Sequence, residues 1–320
     1  MSTQISTVSS SAVGGATGQE SFRLAEGTVQ GRPTVLLVLG SALYRLGDLM
    51  LDGVSAPNHV FDLFADWRRW QPVVTAAAVD AHARAAAVQI EAWLVPVRPA
   101  KLVCIGTNYH GHLREMGTPA PALPYCFLKP VSTGLVASGT KVLLPVGPKM
   151  VDWEAELAVV LGDTLPYGTS GPAVLEAVAG YTILNDLSAR DWITSSSAVG
   201  IDWVLMKGYD GFSPIGPFIT PREFVADPQA LGVRCWVNGE LKQDSNTADM
   251  VFGVQAILEH LSSIMTLEPG DVIATGTPAG VGYGRSPQEF LHHGDTVAVE
   301  IGGLGRLETL MVDPTEGAAA

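Results

Sequence analysis

Basic residues are scarce in this sequence. Nineteen lysines and arginines stand against 32 aspartates and glutamates, a formal net charge of −13 at pH 7. That balance disfavours nucleic acid and anionic membranes as partners, because no basic patch is available to neutralise phosphates. An anionic substrate would need local help, from a metal ion or from a few placed lysines. Cysteine is scarcer still. Cys104, Cys126 and Cys235 are odd in number and too widely spaced for a disulfide framework or a zinc pattern. They read as reduced thiols of a cytoplasmic protein. No apolar run approaches the roughly 20 residues that a membrane helix needs. Charged residues make up only 16% of the chain and hydrophobic ones 47%, the balance of a well-buried globular protein. Residues 1–20, rich in Ser, Thr, Gly and Ala, have neither the basic start nor the apolar core of a signal peptide, and are expected to form a disordered tail.

Short apolar runs separated by glycine turns over residues 21–51 predict a few strands in a small leading domain. Residues 58–94 change to helical spacing, first at Val60, Leu63, Phe64 and Trp67, then at Val79, Ala83, Ala86, Ala87, Ile90 and Leu94. Pro96 and Pro99 mark a linker, so a boundary is placed near residues 98–101, giving domains 21–100 and 101–320. Beyond it strands are predicted around 101–110, 125–130, 141–145, 151–162, 181–187, 233–242, 271–275 and 296–301. Asn238-Gly239 supplies a two-residue hairpin signal. A short helical turn is expected over 111–117, a helix over 172–178 and a clear one over 250–264. Many short strands with few helices make the second domain mainly β, and the whole chain α+β.

The stretch VDWEAELAVVLG, residues 151–162, is the centre of the argument. In an extended strand Asp152, Glu154 and Glu156 share one face, with neighbours on that face about 6–7 Å apart. Two carboxylates at that spacing can converge on one hard cation. A bare Glu-x-Glu is most often an acidic solvent face. Here an apolar run follows at 158–161, and burying unpaired carboxylates is costly. Asp186 sits in a similar apolar neighbourhood, YTILNDL. His112 and Glu115, three apart on a helical turn, form the pair that general base catalysis uses, a carboxylate orienting an imidazole. Lys207, between apolar residues in VLMKGYDGF, is either snorkelling or held against an anion. The Gly-rich ATGTPAGVGYG, 274–284, lacks a Walker lysine but can aim backbone N–H groups and the hydroxyls of Thr275 and Thr277 at a small anion.

Seven segments in order, GTNYHGHLREMG, FLKP, VDWEAELAVVLG, NDLSARDW, KGYDGFSPIGP, VNGELKQDSNTADM and LEPGDVIATGTPAGVG, resemble the fumarylacetoacetate hydrolase superfamily over about two thirds of the chain. The resemblance implies a β-sandwich roll catalytic domain and a homodimer. It implies Mg²⁺ or Mn²⁺ on Glu154, Glu156 and Asp186, and His112 with Glu115 as a water-activating dyad on a mobile lid. Lys207 and Thr277, with Lys129 and Tyr109, match positions expected to meet the substrate. Arg190 and Asp191 are expected to pair behind the site. The sequence departs from many relatives at Thr107, Ile193 and Gly208, where a basic residue, a glutamine and a serine are frequent. The apolar Ile193 and neutral Thr107 favour a less polar acyl portion.

The expected activity is metal-dependent hydrolysis of a C–C bond in a 1,3-dicarbonyl or acylpyruvate-type substrate, a keto acid or diketone. The alternative keeps the metal and the enolate but omits water: decarboxylation of a β-keto acid of the oxaloacetate type, or isomerase or lyase chemistry on a 2-oxo acid. A non-catalytic fold binding structural Ca²⁺ is the rival of another class. The His112–Glu115 pair argues against it, since a structural site has no use for a base.

Overall fold

The computed structural model describes residues 21–51, 53–193 and 200–315. The expected tail over 1–20 lies outside them. The protein is sheet-rich with a minority of helices, as expected from the many short strands.

The large sheet runs from edge to edge through Ala42–Arg45, Arg32–Leu39, Arg23–Val29, Phe218–Pro221, Val178–Asn185, Ala155–Leu161, Val272–Ala274, Leu102–Ile105 and Cys126–Leu128. The strands from before residue 100 therefore continue the sheet of the rest of the chain, through pairing of Leu24 and Ala25 with Ile219 and Phe218. A second sheet runs Glu240–Asn246, Gly232–Val237, Thr296–Ile301, Gly305–Val312, Lys141–Leu143. The hairpin expected at Asn238-Gly239 is present, with both residues at positive φ, 52° and 80°.

Ala155–Leu161 is central and every one of its residues is buried. Its alternation separates two cores instead of core from solvent. Ala155, Leu157, Val159 and Leu161 pack into one cluster with the second sheet. Ala158 and Val160 pack into the other with the N-terminal strands and helices. The strand begins later than the sequence pattern implies. Val151–Asp152 pairs separately with Ser188–Ala189, and Trp153 and Glu154 lie between the two strands.

The helical spacing over 58–94 is realised only in part, as Val60–Phe64, Trp67–Ala78 and Ala81–Arg84. Asp80 takes left-handed backbone and ends the long helix. Beyond the single turn Ala81–Arg84, the alanines at 85–87 offer little apolar area to hold a longer helix. Ala92–Leu94 instead pairs with Arg23–Val29 as a strand. The helix expected over 172–178 is a 3₁₀ helix, Gly171–Ala177, and the later helix is Val254–Ser262. Gly305–Val312 is a strand that the sequence pattern missed. Among the described residues no helix is long and apolar enough to cross a membrane.

Candidate active site

The acids come together. Glu154, just before the central strand, Glu156, inside it, and Asp186, just after Val178–Asn185, each place an oxygen within 4.8 Å of the others. All three are buried. Antiparallel pairing of the two strands, with Ala155 opposite Asn185, brings them to one end of the sheet. Asn185 Oδ1 accepts the Glu154 N–H at 3.0 Å, and the Asp186 N–H donates to the Glu154 carbonyl at 2.9 Å.

Three buried cations answer four buried carboxylates. Arg190 donates to Asp152 at 2.9 Å and to Glu154 at 2.5 Å. Lys207 Nζ donates to Glu154 at 2.6 Å and to Asp186 at 2.5 Å. Lys129 Nζ donates to Asp186 at 2.5 Å and to the carbonyls of Phe212 and Leu187 at 2.6 and 3.4 Å. Among the described residues Glu156 has no cation pair; its partner is the Gly276 N–H at 2.8 Å. Burial, together with the charges of Asp186 and Glu154, pushes its carboxyl well above the ordinary range. Burial works the same way on Glu154, but Lys207 and Arg190 overcome it and hold that carboxyl down at about 2.

An uncompensated buried acid is expensive, by several kcal/mol. A cation beside Glu156 removes that cost. The donor set, three carboxylates without thiolate or imidazole, suits a hard, oxygen-seeking ion. The residues present therefore fit the metal that the sequence resemblance implies.

Asp152 is not part of this set. It accepts N–H groups from Gly282 at 2.6 Å, Tyr283 at 3.0 Å and Trp153 at 2.8 Å besides the Arg190 contact. It anchors the Gly-rich loop beneath the site. Arg190 and Asp191 do not pair with each other. Adjacent residues of the turn Arg190–Trp192 point apart, and Asp191 accepts instead from the backbone of Lys149 and Met150.

His112 and Glu115 share a face of the helix His110–Met116. The His112 Nδ1–H donates to Glu115 Oε2 at 2.9 Å. Glu115 Oε1 accepts the Gly280 N–H at 2.9 Å, and the Gly111 N–H at the helix start donates to Asp249 at 2.8 Å. The dyad is thus strapped to the Gly-rich loop on one side. The same Gly-rich loop meets Glu156 through the Gly276 N–H and Glu115 through the Gly280 N–H, which sets the dyad and the acids against one loop. With Nδ1 committed to a carboxylate, Nε2 is the free basic nitrogen.

Lys207 ends the helix Trp203–Lys207, capped by the Asp202 carboxylate, which accepts the Leu205 N–H at 2.9 Å. Trp203 holds this five-residue helix by stacking on Phe127, centroids 4.3 Å apart. A Cβ at Gly208 would fall 2.6 Å from the Val204 carbonyl oxygen, so the tight turn after Lys207 has no room for a side chain without shifting. Ile193 is half-buried after the Arg190–Trp192 turn, and Thr107 is half-buried beside Asn108. The Tyr109 hydroxyl is buried without a hydrogen-bond partner among the described residues; burial and the nearby charges of Glu156 and Asp249 push its pKa up. Thr277 is buried next to Gly276, and its Oγ1 accepts from Gln243 Nε2 at 2.8 Å. Sequence reasoning missed Gln243 and the clamp that Arg190 makes between two acids. Both lie inside motif segments, but nothing in their spacing says what they touch.

Residues 101–312 match the family described as Fumarylacetoacetate (FAA) hydrolase C-terminal. The mitochondrial oxaloacetate tautomerase FAHD2B of Bos taurus is 45% identical over 214 residues, 67% of each chain. The fumarylacetoacetate hydrolase structure from Exiguobacterium antarcticum aligns with a TM-score of 0.78 at 31% identity, covering 92% of this chain and 100% of that one. The 2-hydroxyhepta-2,4-diene-1,7-dioate isomerase structure from Mycobacterium marinum aligns with a TM-score of 0.67 at 30% identity, covering 92% and 99%.

Proposed function

The chain belongs to the fumarylacetoacetate hydrolase family, and from that premise we propose that it is a divalent-metal-dependent enzyme that moves a proton on a 2-oxo acid, interconverting the keto and enol forms of an oxaloacetate-like substrate. The observation that carries this reading is the His112–Glu115 dyad set beside a buried acidic triad and Lys207. The named activity of the 45% identical relative supports the choice of substrate.

Glu154, Glu156 and Asp186 would hold the metal, of the Mg²⁺ or Mn²⁺ type. When bound, such an ion supplies Lewis acidity to the oxygens of a 2-oxo acid. His112 Nε2 takes the proton from the carbon next to the keto group, and the electron pair moves onto the keto oxygen. Glu115 keeps the imidazole in the tautomer that can accept that proton and stabilises the imidazolium that results. Lys207 faces the negative charge that develops, and the imidazolium's proton, passed to that oxygen, completes the enol and restores the neutral imidazole. Burial of the acids, His112 and Lys207 keeps water away from the intermediate charge.

A second reading, hydrolysis of a C–C bond in an acylpyruvate, rests on the same dyad. There His112 takes its proton from water, the water oxygen adds to a carbonyl carbon, and the C–C bond breaks with its electron pair leaving as an enolate. Decarboxylation of the same β-keto acid needs no base.

Oxaloacetate and Mg²⁺ followed by proton NMR separate the three. Tautomerisation speeds keto–enol exchange and leaves no fragments; hydrolysis yields oxalate and acetate; decarboxylation yields pyruvate and CO₂. Fragments appearing at the rate of substrate loss would overturn the tautomerase reading. Family membership also carries the expectation of a homodimer through the β-rich part, which sedimentation at micromolar concentration tests. The three free thiols are the support for a cytoplasmic setting, whereas the named relative is mitochondrial.

A further inference from the structure

Gln243 is buried at 1% exposure in the second sheet, on Glu240–Asn246, yet both ends of its amide reach into the active site. Its Oε1 accepts the N–H of Ala155, the residue between Glu154 and Glu156, at 3.0 Å. Its Nε2 donates to Thr277 Oγ1 at 2.8 Å and to the Pro278 carbonyl at 2.9 Å. The Ala155 contact settles which way round the amide lies, since a backbone N–H needs an oxygen opposite it.

A hydroxyl has one proton to give. Because Nε2 brings a proton to Thr277 Oγ1, that oxygen is an acceptor in this bond and its own proton points elsewhere. Among the described residues no group accepts the Thr277 proton. The neighbouring Gly276 N–H is spent on Glu156, and Thr275 Oγ1 is spent on the Leu157 carbonyl at 2.9 Å. The Thr277 hydroxyl proton is thus left for a ligand, and it is buried beside the acids.

We propose that Gln243 is a positioning residue that fixes the Thr277 hydroxyl as a hydrogen-bond donor to a carboxylate or keto oxygen of the substrate. The inference rests on the reading that a 2-oxo acid binds at this site. It adds a residue from the second sheet that never touches substrate and yet sets the polarity of one contact. With Nε2 on one lone pair of Oγ1, the hydroxyl proton is turned away from Gln243 and towards a ligand, where an anionic oxygen is the strongest acceptor.

The test is a double-mutant cycle read by binding, with oxalate as the probe, titrated by calorimetry in the presence of Mg²⁺. Wild type, Thr277→Val, Gln243→Met and the double variant are compared. Thr277→Val is expected to weaken oxalate about 10- to 100-fold, the size of a hydrogen bond to a charged group. Gln243→Met, which frees the hydroxyl to rotate, should weaken it several-fold. In the Thr277→Val background the Gln243 change should cost nothing further, because its effect travels through the hydroxyl. A KM for oxaloacetate that rises while kcat holds within a few-fold is the matching kinetic signature. Additive losses, or a Thr277→Val protein that binds oxalate as the wild type does, would overturn the proposal. Should Gln243→Met fail to fold, Gln243→Glu is put through the same cycle above pH 8, where the carboxylate can only accept and draws the Thr277 proton to itself; the same coupling is expected. Oxalate binding needs no turnover. Failure to turn over oxaloacetate therefore counts against the enzymatic reading, while the coupling alone decides the role of Gln243.

Discussion

A Cβ placed on Gly284 would lie 2.3 Å from the carboxyl carbon of Glu115 and 2.7 Å from its Oε1. The Gly-rich loop thus leaves room for the dyad's carboxylate by having no side chain there, while the Gly280 N–H fixes the same carboxylate from the other side. Gly284→Val should push Glu115 off His112 and lower kcat by part of the roughly 10²–10⁴-fold that a general base is worth. Metal affinity should not change. Steady-state kinetics beside a metal titration by calorimetry check both halves; loss of metal binding would show that the loop itself had moved.

His112→Ala should cost a base-dependent reaction on the order of 10²–10⁴-fold with the metal still bound. Glu115→Gln should act in the same direction but less severely, since Glu115 orients and does not transfer. The double variant should be little worse than His112→Ala, as two residues acting as one unit are not additive. If the rate on oxaloacetate survives His112→Ala nearly intact, the imidazole is not the base.

Glu156 carries a prediction of opposite sign for stability and activity. Its folded pKa is raised, so in metal-free protein it binds a proton more tightly than in the unfolded chain. The stability it contributes is present below its ordinary value near 4.5 and is lost as pH rises toward the folded value. Glu156→Gln should therefore make the metal-free protein as stable as the wild type or more so near neutral pH. The variant should lose both activity and the rise in Tm that Mg²⁺ or Mn²⁺ gives. Thermal melts from pH 5 to 8, with EDTA and with metal, read both effects.

Lys129 is expected to behave as a counter-ion. All three of its protons are taken, by Asp186 and by the carbonyls of Phe212 and Leu187. Lys129→Met leaves Asp186 with one cation partner fewer, and breaking such a buried pair typically costs about 3–5 kcal/mol. Chemical denaturation should show that loss. A variant of wild-type stability with a raised KM would instead assign Lys129 to substrate contact.

The sequence carried much of this site. The Glu-x-Glu spacing and the apolar surroundings of Asp186 pointed to the acids that the structure brings within 4.8 Å, and the three-residue step from His112 to Glu115 pointed to the helical pair. What stayed hidden were relationships across sheets. Residues 151–162 read as one strand with three acids on a face, yet the chain breaks at Trp153 and Glu154, and Asp152 turns away to Arg190 and the loop. Alternation gives a residue's face but not which of two cores lies behind it. The second stretch of helical spacing, over 79–94, yields only the turn Ala81–Arg84, because alanine satisfies the period without supplying the buried area that holds a longer helix. Gln243 looked like an ordinary polar residue near a hairpin, since its partners are 88 and 34 positions away.

Those separations have a consequence for how the protein comes into being. The Gly280 N–H meets Glu115 across 165 positions, and the Gly276 N–H meets Glu156 across 120. Contacts this distant form slowly, because the chain must close long loops before they repay anything. During synthesis the three acids leave the ribosome well before the loop that shapes their pocket. Until residue 284 has emerged, the chain holds negative charges that have no finished enclosure. If the three acids hold the proposed metal, tight binding is expected only once this loop has closed on Glu156, and metal uptake followed during refolding would date that closure.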